Sequence, residues 1–142
     1  MRLFVIALPV MIAAAAQAAT APAKPAKPNP DVDICVKAAA ATDHIKIEDV
    51  DRDACACATK ELQRTLSPDD FALHETMLGV IASGANEQSF NKQMSDVMLK
   101  RGMNQQMVNA FLARTKKAQD KAHAKCNVPP PLDLPDLNHP PH

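Results

Sequence analysis

The sequence predicts an all-α fold: a small bundle of four or five helices, stapled by disulfides and flanked by Pro-rich, disordered N- and C-terminal segments. Three observations predict it. Apolar residues between Asp31 and Cys126 recur at helical spacing, and no alternating strand pattern interrupts them. The 12 prolines cluster outside that stretch: four lie in Pro22–Pro30, six in Pro129–Pro141, one in the leader, and only Pro68 falls within. Four cysteines, Cys35, Cys55, Cys57 and Cys126, follow an N-terminal export signal. An even cysteine count in an exported chain usually means staples.

The signal comes first in the chain. Arg2 is a positive n-region, Leu3 to Ala16 is an apolar run broken only by Pro9, and Ala16-Gln17-Ala18 presents small residues to a signal peptidase. Cleavage is expected after Ala18. The run is shorter than the roughly 20 apolar residues that span a bilayer comfortably, and no later segment is longer. The expected organisation is a signal peptide over 1–18, a Pro/Ala/Lys linker over 19–30, a helical domain over 31–126 and a Pro-rich tail over 127–142. The expected location is periplasmic or secreted.

Each helix has its own start and stop. Asp31 or Asp33 can cap a first helix through Ala41, and Thr42 to Val50 reads as a polar connection. A second helix, from about Asp51 to Leu66, carries Cys55, Ala58, Thr59, Leu62 and Leu66 on one face. Ser67-Pro68-Asp69-Asp70 is a strong start for the third: a capping hydroxyl, a proline at the first position, and two acids at the positive end of the dipole. That helix stops at Gly84, with Phe71, Met77, Leu78 and Ile81 expected inside. A fourth, Glu87 to Arg101, presents Phe90, Met94, Val97 and Met98, and Gly102 suits a left-handed cap. The fifth, Gln105 to Cys126, carries Val108, Phe111, Leu112, Thr115, Ala122 and Cys126 as its inner stripe.

Helical phase also bears on the disulfides. Cys55 and Cys57 point about 200° apart on a helix, so they cannot bond to each other without breaking it. Two pairings remain. Cys55 lies with Leu62 and Leu66 on the inner face, Cys57 with Lys60 and Arg64 on the outer, and Cys126 is five whole turns beyond Val108 and so points inward. The preferred pairs are therefore Cys55–Cys126 and Cys35–Cys57, with Cys35–Cys55 and Cys57–Cys126 as the alternative. The C-x-C spacing fits neither the C-x-x-C of thiol oxidoreductases nor the usual zinc knuckle.

Other residues raise binding chemistries. Asp49, Asp51 and Asp53 begin like an EF-hand loop, but Ala54 and Lys60 stand where it needs Gly and Glu. With Cys57 the same run resembles, over nine residues, the D-x-D-x-D-G-x-x-C calcium motif of the excalibur family, again without the glycine. The resemblance implies extracellular calcium binding; the residues alone read as a helix start rich in acids. Met94/Met98 and Met103/Met107 are i,i+4 pairs, and His74 shares a face with Met77. Thioethers bind Cu(I), so His74, Met77, Met94 and Met98 are the metal candidates, against the plainer reading of methionine as core filler. Arg114, Lys117, Lys121 and Lys125 line one face of the last helix and could meet anionic lipid or an acidic partner, or simply be solvated. His139 and His142 end the tail.

Net charge is zero, with 16 basic and 16 acidic residues and no Trp or Tyr, which leaves nucleic acid without its basic, aromatic footprint. No G-x-S-x-G elbow, P-loop, H-E-x-x-H or dinucleotide fingerprint occurs. The expectation is a non-enzymatic, exported helical protein, without cofactor, that binds an envelope component or protein partner or serves a structural role in the bacterial cell envelope. The alternatives are a periplasmic copper or thiol-redox protein and a holdase-like chaperone.

Overall fold

The computed structural model describes residues 27–128. The signal peptide, most of the linker, and the tail with His139 and His142 lie outside the described residues. Within them the chain is all-α and held by two disulfides: α1 Pro30–Asp43, a short 3-10 turn Ile47–Asp49, α2 Arg52–Thr65, α3 Pro68–Ala82, α4 Glu87–Lys100 and α5 Gln105–Cys126.

The helices begin where short polar side chains can take up free backbone N–H groups. Asp51 accepts from the Ala54 N–H, Ser67 from Asp70, Asn86 from Ser89 and Asn104 from Met107. The first helix starts earlier than expected. Asn29, not Asp31 or Asp33, is its cap, accepting from the Asp31 N–H, and Pro30 takes the first helical position. It also runs two residues beyond Ala41 before His44 turns left-handed at φ 53°. Gly84 at φ 74° and Gly102 at φ 67° end the turns after α3 and α4, conformations that cost other residues free energy.

The core has three parts. Leu73 and Met77 of α3, Phe90, Met94 and Met98 of α4, and Val108 and Phe111 of α5 form the largest. Ala58, Leu62 and Leu66 meet Ala118, Ala122 and Cys126 between α2 and α5. Val32 and Val36 of α1 pack around Cys55. The inner stripes expected for α2, α4 and α5 hold, with Val97 and Leu112 half-buried. The face of α3 is different: Leu73 and His74 are buried beside Met77, while Phe71, Leu78 and Ile81 are half-buried. The reason is position. α3 packs against α1 as well as against α4 and α5, so most of its circumference is partly covered and no single stripe is selected.

Asp70 ties α3 to α5. The Arg114 guanidinium donates to both its carboxylate oxygens, at 2.7 and 2.9 Å. That pairing, with the Ser67 hydroxyl, holds the Asp70 carboxyl below its ordinary value against the opposing effect of burial. A depressed carboxylate adds stability that is present above its unfolded value of about 3.9 and is lost as pH falls through the folded one. Acid titration of unfolding free energy between about pH 5 and pH 2 should therefore fall less steeply for Asp70→Asn than for the parent. Parallel curves would mean the pair adds nothing.

Candidate functional site

The cysteines converge on α2 from both sides. Cys35 bonds Cys55, with Cα atoms 5.8 Å apart, and Cys57 bonds Cys126, at 5.6 Å. This is the alternative pairing; the preferred Cys35–Cys57 and Cys55–Cys126 do not form. The 200° divergence of Cys55 and Cys57 is as expected, but Cys57 is half-buried and does not share the exposed face of Lys60 and Arg64. α1 covers the Cys55 side, and α5 covers the side of Cys57, Ala58 and Leu62. Cys126 does point inward and is buried. At the end of α5, inward means toward α2. Polar pairs flank both bridges: Asp33 with Arg52 and Asp31 with Gln63 between α1 and α2, and Glu61 with Lys125, at 2.7 Å, between α2 and α5.

No described cysteine is free. Two bonded pairs fit an oxidising compartment. No described helix is long and apolar enough to cross a membrane.

The metal candidates divide. Met77, Met94 and Met98 come together in the α3–α4–α5 core, where they pack with Phe90 and Phe111. His74 is only 1% exposed and reaches α5, its Nε2 3.3 Å from Gln119 Nε2. Its Nδ1 lies 3.8 Å from Glu75 Oε1, beyond hydrogen-bond distance, and is buried without a hydrogen-bond partner among the described residues. Nearby on α5, the Thr115 hydroxyl is fully buried and lacks a hydrogen-bond partner among the described residues. Among the described residues, no three His, Cys, Asp or Glu side chains are grouped as a metal ligand set. The calcium-like run is spread along the chain: Asp49 ends the 3-10 turn, Asp51 caps α2 and Asp53 lies in its first turn.

The basic stripe on α5 is partly neutralised. Arg114 is taken by Asp70 and Lys125 by Glu61. The acids that answer it come from α2 and α3.

One feature of the site was not read from the sequence. Leu99 is 70% exposed at the end of α4, and Met107 is 48% exposed in the first turn of α5. Lys100 and Arg101 lie between them in the chain and are also exposed. Residues 99–102 and 104–107 are all exposed, and only Met103 turns inward, onto the core. The signal was present: Leu99 falls in helical phase with Lys92 and Asp96, on the polar side of α4. Among the described residues, Ile45 and Ile47, in the α1–α2 connection, are the other large apolar side chains that stand exposed.

In comparisons with known proteins, no family model, curated protein or solved structure matches this chain.

Proposed function

We propose that this is an exported, non-catalytic binding protein of the bacterial cell envelope, working through the end of the α4–α5 hairpin. The observation that carries the reading is the exposure of Leu99 and Met107 around a basic turn. Two large apolar side chains left exposed beside exposed basic ones suit a binding surface. The rest of the molecule supports that role as a scaffold. Both bridges lie at α1, α2 and the last turn of α5. They brace the end of α5 far from the turn between α4 and α5, while α4 and that turn pack on the methionine-rich core.

Export supports the envelope assignment. The leader has the three parts of a secretory signal, and the paired cysteines suit an oxidising destination.

The test is a photo-cross-linking amino acid placed at position 99 or, as a control, at the exposed Arg64, in protein exported by living cells. A discrete adduct from position 99 and none from position 64 is the expected result. Equal adducts from both, or none from position 99, would remove the hairpin as the binding surface.

A further inference from the structure

The hairpin end also has the chemistry of a particular partner. We infer that it docks on an anionic lipid surface, an inference that rests on the binding role proposed above and names its partner.

Three properties of the tip favour a bilayer. The first is charge. Lys100 and Arg101 stand at the turn, and no acidic residue occurs from Val97 to Gln119; Asp96, one helical turn before Lys100, is the nearest acid in sequence on the α4 side. The second is the form of the surface. Eight of the nine residues from Leu99 to Met107 are exposed, so Leu99 and Met107 stand open to solvent at the facing ends of α4 and α5 in the chain. A protein partner would have to supply the whole pocket, whereas lipid only has to part. The third is size. A stable protein interface needs about 800 Å² from each partner, more than one short turn offers. Shallow, reversible insertion of a few apolar side chains, helped by basic neighbours, is enough at a membrane surface.

The basic stripe on α5 is a poorer candidate for the same lipid. Arg114 and Lys125 are engaged by Asp70 and Glu61, and the apolar face of that helix is buried.

Co-sedimentation of the signal-cleaved, oxidised chain with vesicles tests the inference. The vesicles are equal parts phosphatidylglycerol and phosphatidylcholine, or phosphatidylcholine alone, at low and high salt. Binding to the anionic vesicles that weakens with salt, and is at least about tenfold weaker on the neutral ones, is expected. Leu99→Glu/Met107→Glu should remove it while leaving the helical circular dichroism unchanged. Lys100→Gln/Arg101→Gln should weaken it about twenty-five-fold, from about fivefold for each charge. Lys117→Gln/Lys121→Gln should have little effect. Undiminished binding by either hairpin variant, or a loss that follows Lys117 and Lys121, would overturn the inference. No binding to anionic vesicles would also overturn it. If position 99 still cross-links to a protein in cells, the lipid fails and the binding role stands; if it does not, both fail.

Discussion

Replacing Cys57 and Cys126 together by serine should lower the stability of the domain by about 4 kcal/mol and its Tm by roughly 20 °C. The bridge joins residues 69 positions apart, so removing it frees a long loop in the unfolded chain. Cys35→Ser/Cys55→Ser opens a loop of 20 and should cost about 3 kcal/mol. A domain of this size has only about 5–10 kcal/mol in total, so either loss is a large part of it. Thermal unfolding followed by circular dichroism measures both effects. A third variant separates the bridge patterns. Cys35→Ser/Cys57→Ser leaves Cys55 and Cys126, which belong to different bridges, and both should alkylate without reduction. If those two cysteines instead bond and the protein keeps its Tm, the pattern is wrong.

Phe111→Ala should cost about 3 kcal/mol, at the low end for loss of a buried phenylalanine. Phe111 is fully buried among Leu73, Met77, Phe90, Met94, Met98 and Val108. The low end applies because four thioethers, counting Met103, surround the site, and flexible methionines can relax into a cavity better than branched side chains. Phe111→Leu should cost about half as much. Urea unfolding with an unchanged m-value measures both. A cost below about 1 kcal/mol for the alanine would mean that the α3–α4–α5 core is not packed as described. The same core holds α4 in place. Among the described residues no side-chain hydrogen bond or ion pair links α4 to another helix, so apolar contact and its two turns alone secure it.

Much of this architecture was legible in the sequence because helix ends carry local chemistry. Ser67-Pro68-Asp69-Asp70, Asp51, Gly84 and Gly102 stand where the helices start and stop, and each acts through its own backbone neighbours. The stripes of α2 and α5 were legible because periodicity selects a face when one side is exposed. Two things needed knowledge of neighbours. Phase gives the direction of a side chain but not which helix lies there, so it separated Cys55 from Cys57 correctly and then gave each the wrong partner. The Ala-rich α1 and the apolar α3 lie against each other, and neither has a solvent face broad enough to define a stripe. Leu99 stands in phase with Lys92 and Asp96 on the polar side of α4, and its exposure follows from that phase.

The bridge pattern braces α1, α2 and the end of α5 and leaves the turn between α4 and α5 outside the braced region. Cys55 and Cys57 are separated by one alanine, so a protease map alone cannot separate their partners. The measurement is partial reduction of protein recovered from the exporting cell, with a different alkylating label at each stage and backbone fragmentation between Cys55 and Cys57. Shared labels on Cys35 with Cys55, and on Cys57 with Cys126, with the chain beginning at Ala19, are the predicted result. Shared labels on Cys35 with Cys57, or thiols that alkylate before any reduction, would contradict it.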